Sequence, residues 1–254
     1  MIRAFVVTLV TFAYVLVAGP PLLLYALLTG NGEPVYRVGV GGVKMALWLA
    51  GVRVDVRGLE KIPHGRAVVY MANHQGNCDP PALLAILPRV IVMAKKEFFR
   101  IPILGRAMLA CRFIPVDRKN REQAVRAVER AVGALRAGDS FLVFPEGTRS
   151  PDGRLQPFKK GVFVMALKAG APILPISISG SNKIMAKRKF VIRPGVVRVT
   201  AHDPVLVGGL EGRGEVMERV RQAILSGLTK EEWPLERARE SPATTVRPDT
   251  AKSA

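Results

Sequence analysis

The sequence predicts one α/β domain: a central, mostly parallel or mixed sheet flanked by helices, preceded by an apolar helical N-terminal segment. Three observations predict it. After residue 52, short runs rich in valine and isoleucine alternate with helical patterns, as strand–helix units around a buried sheet do. With 254 residues, 49% of them hydrophobic, the chain can fill one such domain plus an appendage, but hardly two independent cores. From Ala4 to Gly32, no residue is charged.

That first stretch is read as a retained membrane anchor occupying residues 1–51. Ala4 to Gly19 would make a helix of about 24 Å, short of the ~30 Å hydrocarbon core. A secretory signal fits poorly, because Pro20 falls where the cut would lie. Pro20-Pro21 could kink one spanning helix from Ala4 to Leu28. Alternatively the chain enters one leaflet and turns back at the proline pair, with a second segment at Val43 to Leu49 and Trp48 at the interface. The one-leaflet form is slightly preferred over the span, and a buried core helix is the bland alternative.

The body is expected over residues 52–232. Val52 to Arg57 alternates as a strand, and Ala67 to Ala72 is a buried strand delivering Asn73 and His74 at its C-terminal end. Asp79-Pro80-Pro81 opens a helix to Leu87, with Asp79 as an N-cap. Val90 to Ala94 is a strand, Ile103 to Ala110 a short helix, and Phe113 to Val116 a strand. Asn120 to Ala137 is the clearest amphipathic helix, closed by Gly138 as a left-handed cap. Ser140 to Phe144 is a strand, Gly161 to Lys168 a helix and Ile173 to Ser179 a strand. Phe190 to Ile192 and Val196 to Ala201 read as an antiparallel pair around Pro194-Gly195, and Glu215 to Leu228 as the last helix. Residues 233–254 have no periodicity and are read as a disordered tail.

The formal charge of +18 calls for an acidic partner such as anionic lipid, a phosphorylated substrate, an acidic carrier protein or nucleic acid. Nucleic acid is disfavoured: only 6% of residues are aromatic, and no zinc-finger, RRM-like or heptad pattern is present. Two cysteines, Cys78 and Cys111, suit a reduced protein on the cytosolic side and read as small buried residues.

Two constellations carry chemistry. Asn73-His74-Gln75-Gly76-Asn77-Cys78-Asp79 offers a base and a carboxylate to orient it through Nδ1–H. Phe144-Pro145-Glu146-Gly147-Thr148-Arg149-Ser150 follows a strand and offers a glycine turn and a guanidinium fork suited to phosphate. Each has a plainer reading, as a helix cap and a surface turn. No Gly-x-Ser-x-Gly elbow is present, which argues for direct attack by a substrate hydroxyl without a covalent enzyme intermediate. One histidine without a second ligand at helical spacing makes a metal site improbable. Lys95, Lys96, Arg118, Lys159 and Lys160 fall at strand ends or loops, and several are expected at the same sheet edge.

Together these segments, from about Val52 to Gly180, resemble the glycerolipid acyltransferase family, most closely bacterial 1-acyl-sn-glycerol-3-phosphate acyltransferases. Asn73, His74 and Asp79 meet the Asn-His-x4-Asp motif. Lys95-Lys96-Glu97-Phe98 with Ile101-Pro102-Ile103-Leu104-Gly105, Arg112 to Arg118, Phe144 to Ser150 and Pro172 to Ile176 follow in order. Arg112 stands where the family has a glycine.

The resemblance implies that His74 deprotonates the sn-2 hydroxyl of lysophosphatidic acid, oriented by Asp79. The alkoxide would then attack the thioester of acyl-CoA or acyl carrier protein. Glu146, Gly147, Thr148 and Arg149 are implied at the acceptor, with Lys95 and Arg118 helping to bind its phosphate. No cofactor is implied. The expected setting is the cytoplasmic face of the cell inner membrane, among anionic lipids. Alternatives are another lyso-lipid or glycerol 3-phosphate as acceptor, or a non-catalytic membrane-tethered lipid-binding protein.

Overall fold

The computed structural model describes residues 1–117, 120–186, 191–207 and 212–235. The helices are α1 (Ile2–Thr29), α2 (Glu33–Leu49), α3 (Asp79–Ile86), α4 (Leu104–Ala110), α5 (Arg121–Arg136), α6 (Lys160–Ala169), α7 (Ser181–Ile184) and α8 (Arg213–Ser226). The strands are β1 (Val52–Arg57), β2 (Val69–Ala72), β3 (Ile91–Lys95), β4 (Ile114–Val116), β5 (Phe141–Val143), β6 (Ile173–Ser179) and β7 (Gly195–Ala201). They form one mixed sheet in the order β1-β7-β6-β2-β5-β3-β4. β6, β2, β5, β3 and β4 run parallel, whereas β7 lies antiparallel to β6 and carries β1 parallel to itself.

Burial follows the pleat. β2, β5 and β6 are buried at every position, as strands covered on both faces must be, while β1 and β7 alternate. On one face Val69, Met71, Phe141 and Val143 pack with α5, α6 and α8. On the other, Val68, Tyr70, Ala72 and Leu142 pack with α3, Leu47 of α2 and Val7 of α1. Asn120 caps α5 by accepting from the Gln123 N–H, and Gly138 follows the helix at a φ of 97°.

Three expectations need correction. The N-terminal chain does not turn at Pro20-Pro21, because α1 runs through both prolines to Thr29. The reversal falls at Gly30, which is left-handed, with Gly32 as the N-cap of α2. Gly32 also sits where a Cβ would lie 2.0 Å from the Ala110 carbonyl oxygen. The second helix therefore begins at Glu33 and is far longer than Val43 to Leu49. Nor, among the described residues, does an antiparallel pair form around Pro194-Gly195. Val191 and Ile192 are irregular, since β1 and β6 already occupy both edges of β7. Phe190 lies outside the described residues. Finally, Asp79 opens α3 as a helical residue, with Cys78 at the N-cap position. Pro80 and Pro81 supply no N–H ahead of the carboxylate, so it turns back to donors behind it.

Both ends of α1 rest on the body. Arg3 donates to the Ala50 carbonyl (3.3 Å), Gly19 lets the chain approach Ile103, and Leu22 and Ala26 pack beside Tyr36 and Cys111. Tyr14 bonds the Val38 carbonyl at 2.9 Å, and its ring lies against Gly42, where a Cβ would meet it at 2.6 Å. At the C-terminal side, Trp233 is held by Arg154, which donates to its carbonyl at 3.1 Å. Residues 236–254 lie outside the described set.

Candidate active site

The parallel strands bring their C-terminal ends to one edge, the usual place for sites in α/β sheets. β2 leads into Asn73-His74, β5 leads into Phe144 to Ser150, and β3 ends at Lys95. Asn73 extends the β2–β6 pairing with its side chain: Nδ2 donates to the Ile178 carbonyl (2.8 Å) and Oδ1 accepts the Ile178 N–H (2.7 Å). This anchors the residue before the histidine.

His74 Nδ1 and Asp79 Oδ2 are 2.7 Å apart. The same Asp79 oxygen accepts the N–H groups of Gln75 (2.7 Å) and Gly76 (2.8 Å), so a fully buried carboxylate curls the loop around itself. Gly76 is required there: a Cβ would lie 2.7 Å from the Ser181 carbonyl oxygen, and Asn77 donates to Met185 alongside (2.9 Å). The imidazole stacks on Phe144, with ring centroids 4.1 Å apart. Its side chain keeps 14% exposure, and with Nδ1 engaged, Nε2 is the nitrogen able to take a proton from a ligand.

The Phe144–Ser150 loop holds the histidine by its backbone. Glu146 Oε1 accepts the His74 N–H at 2.7 Å, and the Ser150 N–H donates to the His74 carbonyl at 2.7 Å. The other Glu146 oxygen accepts from Gln156 (3.2 Å). Glu146 is only 3% exposed, and burial pushes its carboxyl up to about 8 despite these donors. Of the residues expected at the acceptor, it is thus the one turned inward, joining two loops. Gly147, at a φ of 70°, passes beneath Lys159, whose Cδ would be 2.7 Å from a Cβ. Thr148 is exposed and Arg149 half-buried on the same loop.

Lys95 lies at the same edge, two strands from β2 and so ~10 Å away, paired with Glu97 at 3.3 Å. Lys96 pairs with Asp117. Arg118 lies outside the described residues. Arg112 has a φ of 66° immediately after the C-cap of α4, so it takes the left-handed helix-ending position that glycine usually fills. Cys78 is buried with Sγ 3.7 Å from the Ser181 carbonyl oxygen, and its thiol is pushed up to about 12 by burial and by Asp79, so it stays protonated. Phe144 and Ser150 as partners of His74, and Gln156 as a donor to Glu146, emerge only in the fold. The signal for Phe144 and Ser150 lay in their place within the second constellation, but backbone bonding between distant loops leaves no sequence pattern.

Two apolar cavities adjoin this edge. One, of about 550 Å³, lies between α5 and α6 beside Val143, Phe144 and Gly147, and includes Arg121, Lys159 and Lys168. The other, of about 680 Å³, lies between α1 and the Ile101–Leu104 turn and reaches Asn77.

Fold and site define an α/β protein that presents a histidine–carboxylate pair at a parallel sheet edge, with its neighbouring thiol inert. The Acyltransferase family profile matches residues 53–179, and the chain belongs to that family. It is 38% identical over 155 residues to a chloroplastic 1-acyl-sn-glycerol-3-phosphate acyltransferase of Brassica napus (60% of this chain, 45% of the relative). It is 36% identical over 146 residues to the 1-acyl-sn-glycerol-3-phosphate acyltransferase of Borreliella burgdorferi (57% and 58%). The chain thus spans about half the length of these curated relatives. The crystal structure of the 1-acyl-sn-glycerophosphate acyltransferase of Thermotoga maritima superposes with a TM-score of 0.78 at 30% identity, covering 89% of this chain and 93% of that one.

Proposed function

We propose that this protein transfers a fatty acyl group from acyl-CoA or acyl carrier protein to the sn-2 hydroxyl of 1-acyl-glycerol-3-phosphate, forming phosphatidic acid. The observation that carries the reading is the 2.7 Å His74–Asp79 pair, fixed by its backbone at the sheet edge of a chain whose relatives bear that activity in their names. His74 Nε2 takes the hydroxyl proton as the oxygen attacks the thioester carbon, and Asp79 stabilises the imidazolium. Collapse of the tetrahedral adduct breaks the C–S bond, and the imidazolium returns the proton to the departing sulfur. Burial and Asp79 hold the Cys78 thiol protonated, which favours direct attack by the hydroxyl over an acyl-enzyme on that residue.

Arg149, Gly147 and Thr148, with Lys95 from a neighbouring strand end and with Arg118, are assigned to the acceptor phosphate. Glu146 is assigned to holding His74 in place. No bound cofactor enters the reading.

The lipid acceptor puts the site at a membrane surface. Phe5, Leu9, Phe12 and Leu16 form an exposed apolar stripe along α1, while both ends of the helix rest on the body. A helix held flat in this way suits one leaflet, since a perpendicular span would carry the α/β body into hydrocarbon. The net charge of +18 favours anionic headgroups, and the cytoplasmic face of the inner membrane is the setting where acyl-CoA and carrier protein arrive. We take residues 1–51 as the anchor and 52–232 as the acyltransferase body.

The test is turnover by purified protein of a panel of lyso-lipids and glycerol 3-phosphate, each with both donors. Lysophosphatidate should give phosphatidic acid fastest. Turnover of another acceptor with none of lysophosphatidate would replace the reading.

A further inference from the structure

We propose that the cavity between α1 and the Ile101–Leu104 turn binds the acyl chain of the lyso-lipid acceptor. This rests on the acyltransferase reading above and extends it to where the acceptor's tail lies.

The cavity has the shape and chemistry of a lipid tail. Its volume is about 680 Å³, and its wall includes α1 residues from Ala4 to Leu16, a run of about 18 Å at helical rise. One leaflet of hydrocarbon is ~15 Å deep, so the run matches a membrane-lipid chain. Among the described residues, none that line it carries a charge. A tail can enter because Phe12 and Leu16 line the cavity and are also exposed on the lipid-facing stripe of α1. Its lining includes Asn77, inside the loop that Asp79 curls against His74, with Met185 beside it. A chain lying here has its polar end at the catalytic loop.

The competing occupant is the donor's acyl chain, and charge and position separate the two. A thioester donor comes from water with an anionic carrier attached. The cavity between α5 and α6 carries Arg121 and Lys159 in its lining, with Lys168 paired to Glu129, and lies across the sheet from α1, so its net positive lining suits that donor. Among the described residues the cavity under α1 offers no cation, and it opens beside the anchor, which suits a molecule already in the bilayer.

Backbone geometry shows that α1 is seated closely over this turn. Gly19 stands where a Cβ would lie 2.3 Å from Ile103 Cγ2. Ile103 itself has a φ of 62°, costly for a β-branched residue, and leads into α4.

The experiment has two arms on full-length protein in detergent micelles. In the first, Val15→Trp and, separately, Thr8→Phe narrow the cavity, and kcat/KM is measured for 1-acyl lysophosphatidates from six to eighteen carbons. The ratio of long-chain to short-chain kcat/KM should fall at least ~10-fold, as if about two methylenes lost their burial. Donor chain-length preference should not move. An unchanged acceptor ratio in both folded variants, or a shift in donor preference instead, overturns the proposal.

The second arm needs no turnover: wild-type protein is photolysed with a lysophosphatidate bearing a diazirine at the end of its chain, and with a phosphatidylcholine bearing the same group. Labelling of α1 or the 101–104 turn by the lysophosphatidate, reduced by unlabelled lysophosphatidate, supports the assignment. Stronger labelling there by phosphatidylcholine marks a bulk-lipid crevice and overturns it. Failure of wild-type protein to acylate any lysophosphatidate would strike the functional reading, whereas failure of either cavity arm in an active enzyme strikes this proposal alone.

Discussion

One oxygen of Asp79 accepts two backbone N–H groups and meets His74 Nδ1, so its geometry is set by the loop as much as by the imidazole. His74→Ala should lower kcat by at least ~10²-fold, the usual worth of a general base, with the circular dichroism spectrum unchanged. Asp79→Asn should cost less than the histidine loss yet remain large, because an amide still orients the ring but does not stabilise imidazolium. Near-normal turnover by folded His74→Ala would end the mechanism. Glu146 carries a separate signature. Its ordinary value is 4.5 and its folded value about 8, so the native state holds the extra proton between them. That contribution to stability is fully present below the ordinary value and is lost as pH rises through about 8. Urea midpoints should therefore fall from pH 5 to pH 9, and Glu146→Gln should flatten the slope. An identical slope in both proteins would show that Glu146 titrates normally.

At the scale of elements, the site is two loops laced through backbone groups. The His74–Asp79 loop packs against α7 through Gly76, and the Phe144–Ser150 loop grips His74 through Glu146 and Ser150. Gly76→Ala forces a Cβ to 2.7 Å from a carbonyl oxygen that has no side-chain freedom to yield. It should therefore displace Asp79 from His74 and reduce kcat ~10²-fold with little change in KM for either substrate, a split that steady-state kinetics would read. A rise in KM alone would mean that Gly76 contacts substrate instead. Arg112 belongs to this scale too. The left-handed conformation costs it ~1 kcal/mol, while its guanidinium, paired with Asp139 at 2.9 Å, stays more than half exposed, so the pair returns little. The glycine of the family's motif thus corresponds here to a helix ending, a need that arginine meets at modest cost.

For the whole molecule, the hairpin of α1 and α2 is part of the core as well as an apolar surface. Val7, Leu47 and Ala50 pack with Val52 and Tyr70, so deleting residues 1–32 would uncover the body as well as remove an anchor. Charging the outer stripe separates the two roles. Phe5→Glu with Leu9→Glu alters exposed positions, and should convert a protein that resists high-salt washing into one released by salt, with thermal stability in detergent within ~0.5 kcal/mol of wild type. Burial of apolar surface resists salt, whereas attraction of the basic surface to anionic lipid is screened. If the double variant remains bound in high salt, the stripe is not what holds the membrane.

By itself the sequence determined the α/β class, β1 and β6 to the residue, the long amphipathic helix with its Asn120 start, and the neighbourhood of His74 and Asp79. These are local properties: periodicity, turn chemistry and the spacing of residues along one loop. Tertiary structure alone decided which groups meet across distance. Glu146 reads from the sequence only as an acceptor-side residue, and the fold adds that its carboxyl lies between the N–H groups of His74 and Gln156. Val191 and Ile192 could pair with β7 until β1 and β6 were found on both its edges. Pro20-Pro21 signalled a reversal, yet α1 continues through it: each proline keeps a helical φ, at the cost of its own hydrogen bond and of ring crowding against the carbonyl four residues back. Partners supplied by remote backbone have no side-chain pattern to announce them, and the competition among strands for edges is settled only when all of them are in place.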